Sequence, residues 1–160
     1  MAKTDIGKKW EDKFRRAWKK HFPGTFLYRL ADQMTGYKET SGNPCDFLSM
    51  AKASLFMVEC KEHKGASIPF TAIPQYPRLL EYKDIEDVYP GILLWLSEKD
   101  KVLWVGINDM EKLYKAGEKS IGLRQLGDSN YSIIDVPVNK LQIYVEPDLT
   151  YLVDKLVGDK

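Results

Sequence analysis

The feature that most restricts how this chain can fold is the run Ser54-Leu55-Phe56-Met57-Val58-Glu59-Cys60-Lys61. It is apolar at successive positions, so a strand built from it must be covered on both faces, as in the interior of a sheet layered with helices. The run ends on an acid, and a carboxylate at the end of a buried strand is costly unless the site needs its charge. Upstream, Cys45 to Met50 reads as a second strand, and Ala51-Lys52-Ala53 as the turn that joins the two in an antiparallel hairpin.

The flanking sequence supplies the covering layers. From Gly7 to about His21 the residues Trp10, Phe14, Ala17 and Trp18 recur at helical spacing with lysines and arginines opposite, and Phe22-Pro23-Gly24 ends that helix. Residues 28–43 are expected to form a mobile loop, or a short strand followed by one. A helix is expected around Pro77 to Ile85, and a second hairpin from Gly91 to Ser97 and Lys101 to Ile107. Beyond it come a short helix from Asp109 to Lys115, a connector from Ser120 to Leu126 and a strand from Leu141 to Val145. Pro147 is placed to start a C-terminal amphipathic helix. This order predicts one α/β domain over residues 1–160, a mixed β-sheet flanked by α-helices.

Side chains alternate along a strand, so Glu59 and Lys61 project from one face while Cys60 turns to the other. In a hairpin closed near residue 52, Asp46 lies across from Glu59, and two acids and an amine converge. Two carboxylates held so close repel unless a cation sits between them. A hard divalent ion such as Mg2+, with Mn2+ as a substitute, takes one or two carboxylates, several waters and a substrate phosphate. The backbone carbonyl of Cys60 offers a further oxygen ligand. Such an ion polarises a phosphate and lowers the pKa of a bound water, while Lys61 orients that water and offsets developing charge. The plain alternative makes Asp46 a turn residue and Glu59–Lys61 an ordinary ion pair on a solvated face.

Charge distribution says more than the net charge of +1. Residues 1–22 carry eight basic residues against three acidic ones, leaving a net −4 for the rest of the chain, so a polyanion is drawn to the N-terminal end. Lys8, Lys13, Arg15, Arg16, Arg29 and Lys38 are candidate phosphate contacts, although each alone reads equally as a surface charge. The two cysteines, Cys45 and Cys60, are expected as buried free thiols, and a zinc site with His21 and His63 lacks a close ligand pair. No segment approaches the roughly 18 consecutive apolar residues of a membrane span. The charged N-terminus lacks a secretion signal, which leads to the expectation of a cytoplasmic protein.

Five segments in order, Gly7-Lys8-Lys9-Trp10-Glu11, Asn43-Pro44-Cys45-Asp46-Phe47, Val58-Glu59-Cys60-Lys61, Ser67-Ile68-Pro69-Phe70 and Gly117-Glu118-Lys119-Ser120-Ile121, resemble successive motifs of the RecU-type Holliday junction resolvases, within the PD-(D/E)xK nuclease superfamily. The resemblance implies a restriction-endonuclease-like fold, a homodimer, and Mg2+-dependent paired symmetric incision of four-way DNA junctions. It implies Asp46 and Glu59 as metal ligands, Lys61 as the catalytic lysine, and Glu11 as an accessory acid from the first helix. Glu11 borders the apolar stripe, where it faces either the sheet or solvent. Ser67 joins the DNA-contacting candidates. Two departures stand out. The segment before Asp46 is shorter than the stalk of cellular members, so 28–43 would be a reduced stalk in a compact, phage-like relative. Pro77 occupies the position of the family glutamine, with Gln75 two residues earlier as its replacement. The competing readings are a nuclease of the same core acting on duplex or flap DNA, and a non-cleaving DNA-binding recombination accessory protein.

Overall fold

The computed structural model describes residues 3–31, 42–141 and 144–158, so Lys38 and most of the expected stalk lie outside the described residues. Helix α1 spans Lys3–His21, followed by strands β1 (Leu27–Arg29), β2 (Phe47–Ala51), β3 (Ser54–His63) and β4 (Ser67–Pro69). A 3-10 turn at Phe70–Ala72 leads into helix α2 (Tyr76–Leu80), then β5 (Val88–Leu96), β6 (Lys101–Gly106) and helix α3 (Ile107–Lys115). Strands β7 (Ser120–Gly122), β8 (Ile134–Val136), β9 (Val138–Lys140) and β10 (Val145–Pro147) precede helix α4 (Leu149–Val157).

The main sheet has six strands in the order β1-β2-β3-β5-β6-β8. β3 and β5 run parallel, and every other neighbouring pair is antiparallel. The protein is thus an α/β fold with a mixed sheet flanked by helices. β3 is interior, with apolar layers on both faces, as its unbroken apolar run requires. One layer joins Phe56, Val58 and Cys60 to Trp10, Phe14, Ala17 and Trp18 of α1 and Leu149, Leu152 and Val153 of α4. The other joins Met57 to Tyr76 and Leu79 of α2 and to Ile107, Met110 and Leu113 of α3.

Trp10 anchors α1 to the sheet. It is 0% exposed, and its indole Nε1–H donates to the carbonyl of Leu93 in β5 at 3.0 Å. Burying a ring of this size contributes on the order of 2–3 kcal/mol, and the bond satisfies the one polar atom that burial would strand. Trp18, one turn from the helix end, donates to Thr25 Oγ1 at 3.0 Å and ties the chain reversal at Gly24 (φ 75°) to the helix.

The short strand allowed for at the start of 28–43 is present as β1, which pairs Arg29 with Phe47, while residues 32–41 lie outside the described residues. Several local expectations are corrected. The hairpin turn is two residues, Lys52 and Ala53, both left-handed at φ 49° and 54°. Helix α2 stops at Leu80, well short of Ile85, and the chain after it takes left-handed turns at Asp84 (φ 61°) and Asp87 (φ 58°) that no helix accommodates. Of the expected strand at Leu141 to Val145, residues 142–143 lie outside the described residues, and the described strand here is β10, which begins at Val145 and pairs with β9. Pro147 therefore ends a strand instead of starting a helix, and Asp148 caps α4 by accepting from the Tyr151 N–H at 3.0 Å. The connector at Ser120 to Leu126 contains β7, which pairs with β4 along the crossover from β3 to β5. Gly122 permits that pairing, because a Cβ there would stand 2.1 Å from the carbonyl oxygen of Ala66.

A two-residue hairpin turn with both residues left-handed favours Asn-Gly, and Ala53 pays the steric cost of its methyl group. Ala53→Gly is expected to stabilise the fold by about 1 kcal/mol, read as a rise of about 2–4 °C in the melting temperature. A fall in melting temperature would contradict the turn geometry.

Candidate active site

The hairpin register builds the site. Phe47 pairs with Val58, so the next position along sets Asp46 opposite Glu59. The Asp46 N–H donates to the carbonyl of Val58 at 3.1 Å, and its carboxylate Oδ2 accepts from the Cys60 N–H at 2.9 Å. Backbone bonds thus fix Asp46 from both sides. Glu59 is only 3% exposed, and the Lys61 ammonium lies 3.3 Å from its Oε1. Cys60 points to the opposite face, into the layer beneath α1. Helix α1 adds a third acid, since Glu11 lines the same cleft. Arg29 of β1 grips Glu11 Oε2 through Nε at 2.9 Å and Nη2 at 2.8 Å.

The cleft encloses about 790 Å³, and Gln75 from the crossover joins Asp46, Glu59, Lys61 and Glu11 along its lining. The Gln75 Oε1 atom is buried without a hydrogen-bond partner. Ser67 sits in β4 opposite Gly122, beside Ile68 and Pro69, which line the cleft while Ser67 itself does not. A second groove shares Glu11 with the cleft and brings together Lys8, Arg15 and Arg29. Arg15 and Arg16 both pair with Asp12, and the Lys13 ammonium stands 4.4 Å over the Tyr144 ring, away from that groove. His63 and Lys64 line the cleft and were absent from the expected residues, although His63 follows Glu59 and Lys61 on the same alternating face.

Electrostatics inside the cleft are unfavourable to two bare charges. Burial raises the Asp46 carboxyl to about 6, with the Glu11 charge adding to the rise and the Cys60 N–H, Lys61 and Arg29 opposing it. Burial raises Glu59 to about 8, with Asp46 adding to the rise and Lys61 opposing it. The nearby thiols are pushed up as well, Cys45 to about 12, chiefly by burial, so both cysteines stay protonated and free.

Among the described residues no three His, Cys, Asp or Glu side chains gather to hold a metal, so neither a Cys2His2 zinc site nor a three-carboxylate cage is built. Two adjacent carboxylates with raised pKa values still form a donor set for a hard cation, which takes few protein oxygens and completes its shell with water and phosphate. Such an all-oxygen donor set fits Mg2+ and lacks the cysteine and histidine ligands of structural zinc sites.

Fold and site together define an α/β protein whose interior strand floors an acid-lined cleft, with Lys61 beside the acids. No protein-family model matches the chain, and no curated protein matches it. Among solved structures it is similar to Hjc of Archaeoglobus fulgidus, a Holliday junction resolvase from an archaeal hyperthermophile. The similarity has a TM-score of 0.40 and 16% identity, and covers 64% of this chain and 78% of that one. No helix among the described residues is long and apolar enough to cross a membrane.

The raised pair makes stability depend on pH in a stated direction. An acid whose pKa is higher in the folded state keeps its full contribution below the unfolded value near 4, and loses it as pH rises through about 6 for Asp46 and 8 for Glu59. With divalent ions chelated, denaturant midpoints are expected to fall between pH 5 and pH 8.5, and Glu59→Gln should flatten much of that slope. An unchanged slope in the variant would show that Glu59 is not the buried acid responsible.

Proposed function

We propose that the chain is a divalent-metal-dependent endodeoxyribonuclease of the PD-(D/E)xK kind that resolves four-way DNA junctions as a homodimer. The observation that carries this reading is the convergence of Asp46, Glu59 and Lys61 in one cleft floored by an interior strand, with Glu11 beside them. Buried acids whose charges repel are a costly arrangement for stability alone, and a cation with a phosphodiester gives them a use.

Asp46, Glu59 and the backbone carbonyl of Cys60 would hold Mg2+, with Mn2+ as a substitute. When bound, the ion supplies Lewis acidity toward the phosphate and a more acidic water. Lys61, held beside Glu59, orients the attacking water and offsets the negative charge that builds on the phosphate oxygens. The Cys60 N–H fixes the Asp46 carboxylate, so this acid needs little rearrangement to meet its ligand. Arg29 holds Glu11 toward the cleft as an accessory acid. Lys8 and Arg15 in the adjoining groove receive the DNA backbone by charge, without reading bases. A two-fold dimer presents two identical centres, which suits paired cuts in a junction of near two-fold symmetry.

The test incubates the protein with a labelled four-way junction and a matched linear duplex, with Mg2+ or with chelator. Symmetric nicking of the junction is expected only with the metal. It should be abolished in Asp46→Asn, and reduced about 10²–10³-fold in Lys61→Ala, the scale for losing one transition-state donor. Equal cutting of linear duplex would replace the junction reading with a general nuclease, and junction binding without cleavage would replace it with an accessory role.

A further inference from the structure

The cleft extends past the acids. Its lining continues along β3 from Glu59 through Lys61 to His63 and Lys64 at the strand end. Glu59, Lys61 and His63 share one face of that strand, and successive side chains on one strand face stand about 6.6 Å apart. That interval is comparable to the spacing of successive phosphates along a nucleic-acid backbone. A strand whose cut phosphate lies at the acids would therefore bring the second phosphate along to His63, which stands two such intervals, about 13 Å, beyond Glu59.

The histidine ring itself points the same way. Its Nδ1 is buried without a partner and faces the Gly65 turn, 3.8 Å from where a Cβ on Gly65 would stand. A buried N–H with nothing to receive it is rarer than a buried acceptor left empty. With Nδ1 in that position, Nε2 is the ring nitrogen left to donate outward. The backbone of His63 is held by the register with Leu96 and by its carbonyl accepting from the Ser97 N–H at 3.0 Å. The ring thus rides on a fixed strand end, next to the exposed Lys64.

We infer that His63 is a positioning residue that donates through Nε2 to the backbone phosphate two along from the one being cut, setting the register of the DNA strand in the cleft. The inference rests on the nuclease reading above and adds a second phosphate subsite to it. His63 takes no part in breaking the ester, so its loss should appear in substrate binding more than in the chemical step.

The experiment measures steady-state cleavage of the junction, with Mg2+, by the wild-type chain and by His63→Ala, His63→Gln and His63→Asn. Losing one hydrogen bond to a charged phosphate is expected to raise KM about tenfold in His63→Ala, with the loss falling on KM and little on kcat. His63→Gln, whose amide nitrogen reaches about as far as Nε2, should restore much of the binding, and His63→Asn should not. Repeating the series on junctions with a neutral methylphosphonate at each of the first three positions on either side of the cut should reveal one position, the second on one side, where wild type and His63→Ala become equal. The Gln and Asn comparison decides the matter even if the alanine variant folds poorly. KM values equal across all four proteins, a loss confined to kcat, or an alanine effect that persists at every methylphosphonate position would overturn the inference and leave the nuclease reading intact. Failure of the wild-type chain to cut any DNA with Mg2+ would sink both.

Discussion

Two carboxylates lie side by side where water is scarce, and the rest of the structure is arranged around that fact. Asp46 and Glu59 meet across a hairpin whose inner strand is covered on both faces, and Glu59, 3% exposed within β3, cannot relax toward solvent without breaking the sheet register. Their surroundings compensate only in part. Asp46 takes a backbone N–H from Cys60, and Glu59 takes the Lys61 ammonium, yet both carboxyls stay above their ordinary range because burial outweighs those partners.

Holding such a pair requires a stiff frame, and the two apolar layers provide it. Strand alternation sends Phe56, Val58 and Cys60 into the layer under α1 and α4, and leaves Glu59, Lys61 and His63 on the other face, at the end where the crossover opens into the cleft. The hydrogen bond from Trp10 to Leu93 docks α1 against the middle of the sheet. The residue after Trp10, Glu11, then faces the acids from the side, with Arg29 of the edge strand holding it. The same docking places Lys8 and Arg15 in the groove that shares Glu11 with the cleft, and so brings part of the positive end of the chain near its negative centre. The crossover from β3 to β5 closes the far wall, pinned where β4 pairs with β7 through Gly122.

Much of this was legible in the residues. The hairpin centred near 52 and the alternation from Glu59 to Lys61 placed the acids and the amine together, because strand periodicity and a short turn leave one register that keeps the apolar run buried. The stripe of Trp10, Phe14, Ala17 and Trp18 defined α1 for a similar reason, since aromatic rings at helical spacing have one face to bury. Weaker local signals failed where pairing partners came from far along the chain. β8, β9 and β10 are three residues each, too short for periodicity; β8 exists because β6, some thirty residues back, completes its hydrogen bonds, while β9 and β10 complete each other's. Pro147 reads locally as a helix start, but its pairing with Val138 makes it the end of a strand.

By itself the sequence determined the interior strand, the amphipathic first helix and the meeting of Asp46 with Glu59 and Lys61, because each follows from repeats and register within a few tens of residues. Only the tertiary structure decided which way Glu11 faces, which basic residues border the cleft, and that His63 extends it. Those outcomes depend on how α1, β1 and the crossover dock onto the sheet, and docking is set by contacts between residues far apart in the chain, which no local pattern encodes.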